Sequence, residues 1–272
     1  MGDGEDFITL TNGASVSSTI SGDGGSDEYV IDSDAYNLTE DEFGGVDVVK
    51  TSVSFILGDN FETLELTGAA DLVGRGNAIG NNIFGNDGDN SLFGRGGNDL
   101  LEGNDGADFL SGGGGSDFLN YAKSSAGVTV NLATGKASGG DADGDRFVSI
   151  ENLAGSNFAD RLTGSNGNNQ LIGDEGKDVL AGGKGVDQYF GDGGADTFVF
   201  ATGDGKDLVS DFSKADGDRI NLSGFDAIAS FADLKANHME QDGGAVVITS
   251  GKDELTLDSI AINDLVKSDF IF

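Results

Sequence analysis

Carboxylates recur in this sequence at a fixed interval, most of them two residues after a glycine and two before an apolar side chain. From Gly76 the chain divides into nine-residue repeats, GNAIGNNIF, GNDGDNSLF, GRGGNDLLE, GNDGADFLS and GGGGSDFLN, ending at Asn120. From Gly155 to Val199 the same register gives GSNFADRLT, GSNGNNQLI, GDEGKDVLA, GGKGVDQYF and GDGGADTFV, and TGDGKDLVS follows a two-residue insertion. Across the ten repeats position one is always glycine, position four is glycine in eight, position six is Asp or Asn, and position eight is apolar. Carboxylates on glycine-rich turns suit one chemistry. The side chains bring anionic oxygen, the open turns free backbone carbonyls, and about six oxygens at roughly 2.3 to 2.6 Å are what calcium prefers, whereas magnesium demands stricter geometry and keeps its water. With no cysteine there are neither disulfides nor thiolate centres, and His238, the only histidine, cannot make a zinc site of the HExxH kind. A carboxylate pair for hydrolysis carries no weight among 48 acidic residues, where one arises by accident.

The period also dictates what positions these groups. The apolar column reads Ile83, Leu92, Leu101, Leu110 and Leu119, then Leu162, Leu171, Leu180, Tyr189 and Phe198. A helix would need apolar spacings of three and four. One apolar residue in nine describes instead a strand of about three residues whose middle side chain points inward. The other six residues form a turn, where glycine supplies positive φ and close backbone approach. Two repeats complete a coil of roughly 18 residues, and stacked coils bring position six of one repeat near that of the repeat two later.

Composition asks for the same partner. Forty-eight acidic residues against 15 basic ones give a formal charge of -33 on a chain that is only 37% hydrophobic. So many carboxylates without counter-charge repel one another, so a cation belongs in the fold and nucleic acid is excluded as a partner. Forty-seven glycines and no proline suit a chain of tight turns. No run of about 18 apolar residues appears, and Met1-Gly2-Asp3-Gly4 lacks the basic and apolar regions of a cleavable export signal.

The repeats resemble the GGxGxDxUx nonapeptide of the RTX family of calcium-binding proteins. Degenerate copies extend the resemblance: MGDGEDFIT at the start, GDGGSDEYV at Gly22 and SKADGDRIN at Ser213. It implies an all-β fold, a right-handed parallel β-roll with calcium ions between successive turns on each edge. Carried over repeat by repeat, the implied ligands are Asp99, Asp108 and Asp117 in the first block and Asp178, Asp187 and Asp196 in the second, with Asp160 and Asp207 as weaker candidates. Asn81, Asn90 and Asn169 at position six, and Ile79 and Phe158 in place of the position-four glycine, mark repeats expected to bind weakly or not at all.

Five segments follow: 1–75, degenerate repeats and wider coils continuing the solenoid; 76–120, the first block; 121–154, an insertion; 155–222, the second block; 223–272, a C-terminal cap and secretion signal. In the insertion, Val128, Val130 and Leu132, then Phe147 and Ile150, predict two strands joined by an acidic loop. That loop, Asp141-Ala142-Asp143-Gly144-Asp145, resembles an EF-hand only superficially: its glycine is at position four and Asn152 stands at position twelve, so a solvated hairpin tip is expected. The tail predicts a short helix over Ser230 to Met239, with His238 on its surface, and strands over 245–249 and 254–257 that close the open end of the solenoid. Asp269-Phe270-Ile271-Phe272 resembles the uncleaved C-terminal address of type I secretion. Because the first repeat begins at Met1 itself, the sequence also suggests a fragment or a short family member. The expected protein is a secreted, extracellular calcium scaffold without catalysis of its own, exported by a type I ABC apparatus and meeting polysaccharide or cell envelope. Two other readings are the C-terminal repeats of an RTX metalloprotease, lipase or alginate epimerase, and a membrane-active RTX protein.

Overall fold

The computed structural model describes residues 4–11 and 19–272, so the start of the Met1 copy lies outside them. The chain forms two compact bodies, residues 1–120 with 141–150, and residues 121–140 with 151–272. Each is a parallel β-solenoid.

In the first body, inward residues stack directly from coil to coil. Ile8, Tyr29, Val49, Leu64, Ile83, Leu101 and Leu119 are successive partners in one sheet. Phe55, Gly74, Leu92, Leu110 and Phe147 are partners in the other. Gly74 stands in the inward column because Leu92 and Leu64 fill its place: a Cβ there would lie 3.1 and 3.2 Å from their methyls. The repeat coils advance 18 residues, while the N-terminal coils are irregular and advance 21, 20 and 15.

The second body stacks Leu153, Leu171, Tyr189, Val209 and Leu257 in one sheet. Val130, Leu162, Leu180, Phe198, Ile220 and Phe270 make the other. All ten apolar positions of the two repeat blocks are fully buried. Burial of one side chain per nine residues gives a thin core, so each member matters.

The insertion departs from the expected pair of strands. Thr129–Asn131 pairs antiparallel with Lys136–Ser138, whereas Arg146–Val148 joins the first body in parallel beside Phe109–Gly114. Asp145 is no solvated tip: it is 2% exposed and accepts the Asp108 N–H at 2.8 Å. Asp145-Arg146-Phe147 occupies positions six to eight of a repeat, and that register overrides the hairpin that charge alone suggests.

At the C-terminal end, Asp253–Leu257 enters parallel to Lys206–Val209 and turns the edge into an antiparallel meander with Ala245–Ser250 and Met239–Asp242. The helical turn runs from Phe231 to His238, capped by Ser230 Oγ accepting the Asp233 N–H, with Leu234 buried. His238 is half-buried and its Nδ1 meets the Thr249 carbonyl at 2.8 Å. Phe270–Ile271 pairs with Arg219–Gly224, so the terminal residues close the inward column.

Leu180→Ala should cost about 2–5 kcal/mol, and Val186→Ala, on a side chain that is 57% exposed, under about 0.5 kcal/mol. Denaturant unfolding in saturating calcium measures both.

Candidate metal centre

A position-six aspartate makes the same hydrogen bond throughout the repeats. In the first body Asp99 Oδ1 accepts the Asn81 N–H at 2.7 Å, and Asp117 Oδ1 accepts that of Asp99 at 2.8 Å. On the opposite edge Asp108 Oδ1 accepts the Asn90 N–H at 2.6 Å. In the second body Asp178 Oδ1 accepts from Asp160, and Asp196 Oδ1 from Asp178, at 2.7 and 2.9 Å. Across from them Asp187 Oδ1 accepts from Asn169, and Asp207 Oδ1 from Asp187, at 2.8 and 3.0 Å. Each bond satisfies the N–H of the coil before it, so every corner is built from two coils.

The second oxygen has no such partner. Oδ2 of Asp99, Asp108, Asp178, Asp187 and Asp196 is buried and unbonded, on residues 0–2% exposed. A buried carboxylate oxygen left this way is expensive, and such a row of them signals a ligand. Glycine keeps the space around it clear. A Cβ on Gly173 would stand 2.6 Å from Asp178 Oδ2 and 2.9 Å from the Gly191 carbonyl. At Gly176, φ of +151° and a Cβ 2.7 Å from the Phe158 carbonyl exclude a side chain twice over. The result is a cradle of carboxylate and carbonyl oxygen without nitrogen or sulfur, the donor set of a hard cation of calcium's size.

Burial, followed by neighbouring negative charge, raises the pKa of these groups. Asp99, Asp187 and Asp196 are pushed up to about 6, Asp207 to about 7, and Asp108 and Asp178 to about 8. Asp117 and Asp160 also move up. The fold thus resists the ionised form unless a cation joins it.

The asparagine corners are closed differently. Asn81 Nδ2 donates to the Phe61 carbonyl at 2.8 Å, Asn90 Nδ2 to Asn86 Oδ1 at 2.8 Å, and Asn169 Nδ2 to the Glu151 carbonyl at 2.6 Å. A neutral amide donates where Asp leaves an oxygen bare, so these corners satisfy themselves. Asp160 is likewise bonded at both oxygens, accepting from the Val128 N–H at 2.6 Å, the Ser156 N–H at 2.5 Å and the Ser156 hydroxyl at 2.9 Å.

Four members of these ladders lie outside the aspartates singled out by the repeats. Asp27 and Asp218 sit at position six of the degenerate copies and accept the N–H groups of Asp6 and Asp196 at 2.7 and 2.9 Å. Asp47 accepts from Asp27 at 2.8 Å, and Asp145 does the same for Asp108. The signal for Asp47 was present as Gly45-x-Asp47-x-Val49, positions four, six and eight without the rest of the repeat.

The RTX calcium-binding nonapeptide repeat matches the chain in four copies, over residues 80–119, 154–189 and 163–198. These are RTX repeats. Their matched segments contain the Asp99, Asp108, Asp117, Asp160, Asp178, Asp187 and Asp196 corners, and the RTX solenoid built on them is a structural scaffold that fits calcium binding. Among solved structures, the extracellular lipase LipA from Serratia marcescens is similar at 18% identity and a TM-score of 0.33, over 83% of this chain. The chain spans 45% of that lipase's length. No curated protein matches the chain significantly.

Two results are expected from this geometry. Asp187→Asn should reproduce the self-satisfied Asn169 corner, so the stabilisation gained from calcium falls by about 0.4–1.4 kcal/mol while the metal-free protein becomes no less stable; unfolding with and without calcium checks it. The pH dependence runs opposite to ordinary acid denaturation. Folded values raised above the usual carboxylate range near 4 give stability that is full below that range and lost as pH climbs through about 6 to 8. Metal-free protein should therefore gain β structure on moving from pH 8 to about pH 5, and the calcium midpoint at pH 6 should be several-fold higher than at pH 8. Circular dichroism reads both.

Proposed function

We propose that this chain is a secreted calcium scaffold that crosses the envelope unfolded and coils as calcium fills its corners outside the cell. The observation that carries the reading is the row of buried, unbonded Oδ2 atoms at Asp99, Asp108, Asp178, Asp187 and Asp196. A cation in each corner relieves them in their ionised form. Extracellular-type sites bind calcium at about 10⁻⁴ to 10⁻³ M and stay empty at submicromolar cytosolic levels. At roughly millimolar calcium each site contributes about 0.4–1.4 kcal/mol, and six contribute about 2–8 kcal/mol. That rivals the net stability of a whole domain, about 5–15 kcal/mol, so the ions decide whether the solenoid exists.

Type I export fits this switch. In the folded protein Phe270 is buried, and Asp269 accepts the Val266 N–H at 2.8 Å and pairs with Lys214 at 3.4 Å. An export apparatus reading Asp269-Phe270-Ile271-Phe272 would meet Asp269 and Phe270 exposed only before folding. The scaffold has no catalytic role in this reading, and polysaccharide or cell envelope is its partner class outside.

Calcium titration followed by far-UV circular dichroism tests the proposal. The β signal should appear cooperatively between about 0.1 and 1 mM calcium and vanish on chelation, with magnesium unable to replace it. A β spectrum unchanged by chelation at pH 7.5 would overturn it.

A further inference from the structure

Asp27, Glu40 and Asp47 make the one cluster of three carboxylates among the described residues close enough to share an ion, and Glu40 belongs to no repeat position. One ligand oxygen from each lies within 4.8 Å of the others. The three residues are 1%, 8% and 0% exposed.

Each has one oxygen engaged. Asp27 Oδ1 accepts the Asp6 N–H at 2.7 Å, Asp47 Oδ1 the Asp27 N–H at 2.8 Å, and Glu40 Oε1 the Tyr29 hydroxyl and, at 3.2 Å, the Gly22 N–H. Asp27 Oδ2, Asp47 Oδ2 and Glu40 Oε2 are buried and bonded to nothing. The neighbouring cation is spent elsewhere: Lys50 pairs with Glu28 and Glu65 at 3.1 and 3.2 Å. The surrounding space is lined with oxygen. A Cβ on Gly44 would stand 3.2 Å from the carbonyl oxygens of Asp23 and Asp41 and 3.3 Å from Glu40 Oε2.

Two oxygens on one calcium stand at most about 5 Å apart, twice the metal–oxygen distance, so a 4.8 Å triangle fits a single ion. We propose that Glu40 joins the ladder carboxylates Asp27 and Asp47 in a three-carboxylate calcium site tighter than the corners of the matched repeats. Three carboxylates on one ion raise affinity by ligand charge, where a repeat corner offers neighbouring position-six carboxylates and carbonyls. The site would fill first, fixing the wide N-terminal coils before the repeats. It does not require the corners of the matched repeats to bind.

Tyr29 supplies the readout, because its hydroxyl donates to the same carboxylate that would hold the ion. Terbium(III) serves as the probe on the full chain, excited through tyrosine, with bound calcium counted by equilibrium dialysis. Substoichiometric terbium should luminesce in the wild type. Tyr29→Phe should lose most of that signal and keep its calcium count. Glu40→Gln should lose the signal and one calcium. Asp187→Asn should keep the signal while losing a calcium elsewhere. A Glu40→Gln protein with wild-type signal and count overturns the site and leaves the nonapeptide reading standing. The converse, Asp187→Asn with a full count and Glu40→Gln short by one, overturns the nonapeptide reading alone. If Glu40→Gln fails to show its β spectrum in excess calcium, Asp47→Asn is read the same way.

Discussion

Everything in this molecule depends on how a position-six aspartate divides its two oxygens. One accepts a backbone N–H from the coil before, which fixes the register of the stack; the other is left in a buried, oxygen-lined corner. In the asparagine corners Oδ1 of Asn81, Asn90 and Asn169 instead accepts an N–H of its own turn, at 2.8, 2.7 and 2.6 Å. The second oxygen belongs to Asp only, and it calls for a cation, because a row of desolvated carboxylates is costly to hold by hydrophobic burial of one side chain in nine.

The two kinds of corner show this division at work. Where position six is Asn, the amide donates to a carbonyl or side-chain oxygen and the turn is complete in itself. Where it is Asp, the turn stays open, glycine leaves the cradle clear, and the pKa rises with burial. Asparagine precedes the aspartates in these ladders, Asn81 before Asp99 and Asp117 and Asn169 before Asp187 and Asp207, so the carboxylates then follow one another directly and repel. Asp160 offers a third solution, borrowing a serine hydroxyl and two N–H groups in place of an ion.

Much of this was legible because a strict period leaves few choices. Ten apolar residues nine apart gave the core, and positions one, four and six gave the turn. What escaped was whatever kept the chemistry but lost the spacing. Asp145 sits after an insertion, so its ladder step is 37 residues instead of 18, and its charged neighbours suggested a solvated loop. Asp47 stands in a coil step of 20 and lacks most of its repeat. Glu40 follows no repeat position, and only the folded chain brings it between Asp27 and Asp47. Charge patterning failed at these places because burial, which a linear sequence does not display, decides what a carboxylate must find as a partner.

The most direct measurement is anomalous diffraction from crystals grown in calcium. Peaks should lie about 2.3–2.6 Å from Oδ2 of Asp99, Asp108, Asp178, Asp187 and Asp196, and be missing at Asn81, Asn90 and Asn169. Aspartate corners without a peak, their second oxygens bonded to water or to lysine, would contradict the dependence of this solenoid on its ions.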